Sequence, residues 1–163
     1  MLLLVLLVSS FALGQDNSKQ WARQQTIPPE VQEAFKKSGF DSIYVFTFHV
    51  NPFYLRGDFN GDRVSDYAAL INRKSDGKIG IALVHGSGRI VVCGAGKHIG
   101  NGGDDFKWLD AWHVYPKGQT QQGVPELPPP TLKGDALAVQ KLGAASGLIY
   151  WTGKKYEWYQ QGD

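Results

Sequence analysis

The sequence predicts an α+β fold that is mainly antiparallel β-sheet, a meander with a short N-terminal helix and one further helical segment. Three observations lead there. Short apolar runs, such as Ile79 to Val84 and Arg89 to Cys93, are separated by glycine-bearing turns, here His85-Gly86-Ser87-Gly88. The rhythm returns near the C-terminus over Ala136 to Leu142, Gly147 to Thr152 and Tyr156 to Gln160, where Gly153-Lys154-Lys155 supplies the last turn. An apolar stripe at helical spacing, Val31, Ala34 and Phe35, comes before all of these runs.

Taken in order, Met1 to Gly14 is apolar and uncharged, and is too short to span a bilayer as a permanent helix. Small residues at Ala12 and Gly14 fit a cut ahead of Gln15, so 1–14 reads as a secretory signal peptide and the chain as exported, periplasmic or extracellular. The basic start of such a peptide is missing, and the other reading is a buried N-terminal strand. No Cys stands at the cut to carry a lipid, and no later segment is long and apolar enough to cross a membrane. Residues 15–26 are polar and read as a flexible segment.

The remaining stretch, about 150 residues, has the size of one domain. Residues 27–163 form a single β-rich domain with a Pro/Gly-rich connection at 117–130. Five Trp, seven Tyr and eight Phe are enough to build a real core. Lys and Arg number 17 against 15 Asp and Glu, too even a balance to predict nucleic acid or a membrane surface as a partner. Cys93 is the one cysteine, so no internal disulfide forms; its apolar strand setting makes it a buried structural thiol.

Pro28-Pro29-Glu30 opens the helix, with Pro and Glu suited to a first turn, and Gly39 ends it. Ser42 to Val50 is apolar at both alternating sets of positions, as in a strand buried on two sides. Asp76-Gly77 marks a hairpin turn after Tyr67 to Asn72. Gly94 to Asp105 is glycine-dense and reads as a flexible surface loop, because neither phosphate-loop nor dinucleotide spacing is present. Trp108, Leu109 and Trp112 share one face if Phe106 to Pro116 is helical, which favours core packing.

The stretch that carries chemistry is Asp58-Phe59-Asn60-Gly61-Asp62-Arg63-Val64-Ser65-Asp66. Oxygen-bearing side chains at alternate positions, with a carboxylate at the ninth, suit a hard cation. A tight loop turns Asp58, Asn60, Asp62 and Asp66 inward, and the Val64 carbonyl adds another oxygen. Oxygen-only ligands favour Ca²⁺ over zinc. The first nine positions match an EF-hand-type loop, but the sixth is Arg63 instead of Gly and the twelfth is Ala69 instead of Glu. The plain alternative is a polar turn, because Asp and Asn cap their own backbone two residues on.

The run L-R-G-D-F-N-G-D-R-V-S-D-Y-A-A-L-I resembles the calcium loop of FG-GAP/VCBS-type repeats, whose pattern is close to G-D-F-N-G-D-G-x-x-D followed by a hydrophobic strand. That resemblance implies calcium carried between strands of a β-rich extracellular domain. The motif occurs once, so a propeller built of such repeats is not implied. The C-terminal stretch from Gly134 to Tyr159 also looks like the tail of small exported bacterial proteins carrying the D-F-N-G-D loop, which supports one continuous domain and implies no activity.

Other constellations are thinner. His49, His85, His98 and His113 show no i, i+4 pair and no Cys partner. Gly86-Ser87-Gly88 makes a better turn than a nucleophile elbow. Arg56-Gly57-Asp58 spells an adhesion tripeptide, but an Asp58 that holds an ion is not free for a receptor. Two classes of function stay open. One is an exported, non-catalytic calcium-binding module, binding a protein or glycan or serving a structural role. The other is a small secreted hydrolase using Asp104, Asp105 or Asp110 beside the Trp-rich segment.

Overall fold

The computed structural model describes residues 18–123 and 128–162, so the leader expected at 1–14 lies outside the described residues. Residues 18–24 form a helix, α1, exposed along its length, where the sequence predicts a flexible segment. Good helix formers without an apolar stripe explain both facts. The second helix, α2 (Pro29–Ser38), begins with Pro at its first position, carries Glu30 in its first turn and Lys36 and Lys37 in its last, and stops at Gly39 in the left-handed conformation. Its buried face is Val31 and Phe35.

Among the described residues nine strands form two antiparallel sheets, so the predicted mainly antiparallel α+β class holds. The first sheet contains β1 (Tyr44–Phe46), β2 (Tyr54–Gly57), β3 (Asp66–Arg73), β4 (Ile79–Val84) and β5 (Ile90–Gly94). β3 is its spine: β4 lies on one side, and β1 and β2 pair end to end along the other. The second sheet is a meander of β6 (Ala111–Tyr115), β7 (Ala136–Lys141), β8 (Ala145–Trp151) and β9 (Tyr156–Gly162).

Side-chain alternation stacks these layers. Ala68, Leu70, Ile81, Leu83 and Cys93 of the first sheet meet Trp112, Leu137, Val139, Ile149 and Tyr156 of the second in one buried core, with Phe59 and Phe106 inside it. The other face of the first sheet, Ala69, Ile71, Ala82 and Val84, packs on Ile27, Val31 and Phe35 at α2. On the outer face of the second sheet Leu132 packs with Ala136, Ala138, Leu148 and Tyr159.

Three sequence readings change. β1 is an edge strand, not one buried on both faces: Tyr44 is buried, but Val45 on the opposite face is 41% exposed. Trp112 lies on strand β6, and the helical content of 106–116 shrinks to one 3₁₀ turn, Phe106–Trp108. The cross-strand partners of β6 on β7 outweigh its helix-like spacing. The glycine-dense stretch read as flexible is tied down by its own backbone. Gly94 and Lys97 exchange two hydrogen bonds of 2.8 Å, Gly96 N donates to Asp104 O at 2.7 Å, and Ile99 N donates to Gly103 O at 3.0 Å.

Burial pushes the Cys93 thiol up to about 12. A thiol in that setting stays protonated far above its ordinary value, and the thiol form is a poor nucleophile. The folded protein is expected to leave Cys93 unmodified by a disulfide-exchange reagent at pH 9, and the urea-unfolded chain to react with one equivalent. Fast stoichiometric labelling of the native state would contradict the buried position.

Candidate functional site

The nine-residue stretch is the connection between β2 and β3, whose last pair is Gly57 with Asp66. Its closure is local. Asp58 Oδ1 accepts from Gly61 N at 2.7 Å and Oδ2 from Arg63 N at 3.0 Å. Asn60 Oδ1 accepts from Asp62 N at 2.9 Å, and Asp62 Oδ1 accepts from Val64 N at 2.8 Å. Asp66 Oδ2 accepts from Asn60 N at 3.2 Å. The side-chain oxygens therefore turn back onto the loop's own amides. Arg63 stands at φ 71, the left-handed turn that Gly usually supplies at this place. The loop thus takes the sharp bend in spite of its side chain.

Hydrogen bonds bring Asn60, Asp62 and Asp66 together: Asn60 Nδ2 donates to Asp62 Oδ2 at 2.9 Å, while the Asn60 amide reaches Asp66. Asp58 is held half-buried at the loop's entrance, Asp62 and Val64 are exposed, and Asp66 is wholly buried. Each bonded oxygen keeps a second lone pair, so the bonds orient the set without exhausting it. Among the described residues no group of three or more His, Cys, Asp or Glu is arranged to hold a metal ion. Any cation here would depend on Asn60 and a main-chain carbonyl as well as on carboxylates.

Two partners escape the sequence pattern. His85, at the end of β4, accepts from Asn60 Nδ2 through Nδ1 at 2.7 Å. That leaves its ring proton on Nε2, 3.3 Å from the Tyr156 hydroxyl on β9. Burial pulls the His85 pKa down and pushes Asp66 up, so the imidazole is neutral although Asp66 Oδ2 is 3.7 Å away. Gly86 N donates to Asp66 Oδ1 at 2.9 Å, so the β4–β5 turn closes on the same carboxylate. Nothing in the spacing from Asp66 to His85 signals this meeting.

The second partner is Asp135, just ahead of β7. Asp58 N donates to Asp135 Oδ2 at 2.9 Å, Asp135 N donates to Asp58 O at 2.7 Å, and Lys117 N donates to Asp135 Oδ1 at 2.9 Å. Beside this clasp Gly61 and Gly134 lie backbone to backbone: a Cβ on Gly134 would overlap Asp58 O, and one on Gly61 would overlap Lys133 O. The only local hint is a Gly-Asp turn before an apolar strand.

The carboxylates considered for hydrolysis go to separate tasks. Asp104 pairs with Lys78, which lowers its pKa. Asp105 Oδ1 accepts from Ile79 N at 2.9 Å, and Asp110 Oδ2 accepts from Leu142 N at 3.0 Å. Among the described residues no helix is long and apolar enough to cross a membrane. No known family model, curated protein or solved structure matches the chain.

The clasp predicts an asymmetry between glycines. Gly134→Ala is expected to cost about 1–3 kcal/mol in urea unfolding through overpacking against the loop. Gly118→Ala, where an added Cβ meets nothing within 4 Å, is expected to be near neutral. Equal stabilities for the two variants would show that the loop and the 133–135 turn do not pack as described.

Proposed function

We propose that the chain is an exported, non-catalytic binding module in which the 58–66 loop takes a calcium ion and braces the joint between the two sheets. The observation that carries this reading is Arg63 in the left-handed conformation, with side-chain oxygens of four residues, Asp58, Asn60, Asp62 and Asp66, turned onto the loop's own amides. A neutral polar turn does not need a strained non-glycine residue at that place. Asp58, Asn60, Asp62, the Val64 carbonyl and Asp66 would hold the ion. It would supply the positive charge that the neutral His85 does not give the buried Asp66 carboxylate.

The residues themselves do the positioning. Arg63 N and Gly61 N orient Asp58, His85 fixes the Asn60 amide, and Gly86 N holds Asp66. Without a bidentate twelfth-position Glu the affinity should be low, on the order of 10⁻⁴ to 10⁻³ M, as in extracellular modules. Calcium is plentiful there, in keeping with the export signal read at Met1 to Gly14. Separate structural partners for Asp104, Asp105 and Asp110 weigh on the side of a non-catalytic module.

Thermal unfolding with added calcium tests this directly. At the weak end of that range 10 mM calcium would stabilise the fold by about 1.4 kcal/mol. The melting temperature would then rise by roughly 3–5 °C. Asp62→Ala should abolish the rise measured against its own metal-free melting temperature, which is expected to fall slightly because the Val64 N and Asn60 Nδ2 hydrogen bonds are lost. No shift and no heat in titration calorimetry would reduce the loop to a plain turn.

A further inference from the structure

A second site lies at the far end of the second sheet. A cleft of about 380 Å³, within the range of small-ligand sites, is lined by Trp108, Trp158, Asn101, Ser146, Gln160 and Lys141. The two indoles stand at 83° with centroids 6.2 Å apart, forming a corner. Both ring N–H groups are already committed: Trp108 Nε1 donates to Gly102 O at 3.1 Å and Trp158 Nε1 to Gln160 Oε1 at 2.9 Å. What the indoles offer a ligand is therefore apolar surface.

Trp158 is held with unusual care for a half-buried side chain. A Cβ at Gly100, Gly102 or Gly147 would overlap its ring or its Cβ, so three glycines from two segments make room for one residue. The strand register shifts at Ser146/Gly147, and Trp158 and Gln160, two apart on β9, point the same way. Gln160 is 6% exposed, and its Oε1 also accepts from Asn101 Nδ2 at 3.2 Å. Fixed indole surface beside fixed amides is preorganisation, which lowers the entropic cost of binding.

The lining chemistry selects the ligand. Apolar aromatic surface beside amide and hydroxyl groups matches a pyranose ring, whose C–H faces are apolar and whose rim is hydroxyl. Among the described residues the lining has one cation, Lys141, and no carboxylate, so a cationic sugar is disfavoured. We infer that the Trp108–Trp158 cleft binds a pyranose residue of an uncharged glycan. This deepens the reading of the chain as a binding module and does not depend on calcium.

The test uses the whole protein and three hexasaccharides, of β-1,4-linked glucose, of N-acetylglucosamine and of its cationic deacetylated form, with tryptophan fluorescence and titration calorimetry. An uncharged hexasaccharide should bind, in EDTA as well as in calcium, and the cationic one should not. Trp108→Ala and Ala145→Tyr, the latter filling the cleft from an exposed position, should each weaken binding by about tenfold or more. Trp21→Ala, on the exposed helix α1, should leave it unchanged. Binding of neither uncharged hexasaccharide, equal binding of the cationic one, or binding indifferent to both cleft variants would overturn the assignment. A calcium-dependent rise in melting temperature without glycan binding would sink this inference and leave the calcium loop standing.

Discussion

The reciprocal contact between Asp58 and Asp135 is the constraint around which the two sheets are arranged. Each residue's amide is accepted by the other, one by a carboxylate and one by a main-chain carbonyl. The contact requires the loop backbone to lie directly on the chain entering β7, which the Gly61 and Gly134 pair permits. Phe59, between Asp58 and Asn60, is then driven into the core between the sheets with no exposed surface. A loop that would otherwise sit at a sheet end becomes a joint of the molecule.

A second set of links tightens the same joint. Asp66 gathers the amides of Asn60 and Gly86, and His85 carries the connection across to Tyr156 on the second sheet. Trp151 packs edge-on against His85 at 5.9 Å and lies under the Arg89 guanidinium at 5.7 Å. Polar groups buried so deeply are tolerable because each has a partner; among the described residues no buried side-chain nitrogen or oxygen is left unbonded. The candidate cation loop and the inter-sheet core are thus one mechanical unit, and a bound ion would stiffen both.

Glycine serves two different ends in this fold. At Gly61 and Gly134 it lets two backbones meet, which holds the sheets together at one end. At Gly100, Gly102 and Gly147 it makes room for the Trp158 indole at a cleft, which shapes a surface. The first use explains how the chain folds. The second seats Trp158 against the inter-sheet core while leaving its indole at the cleft.

The sequence by itself determined the elements whose short-range pattern admits one reading. The strand runs and their turns, the Val31–Phe35 face of α2, its Gly39 stop and the capping logic of the 58–66 loop all follow from neighbours a few residues apart. What only the tertiary structure decided involves partners far apart in the chain. Asp135 meets Asp58 across 77 positions and His85 meets Tyr156 across 71, and no local pattern encodes such a pairing. The same reason explains the misread segments. β1 is half exposed because its Tyr44 and Phe46 side packs on the α2 layer while Val45 faces away, Trp112 is in a strand because β7 lies beside it, and the glycine loop, closed by its own backbone hydrogen bonds, packs against Trp158. Spacing sets what a segment can become, and the surface it meets sets which of those forms it takes.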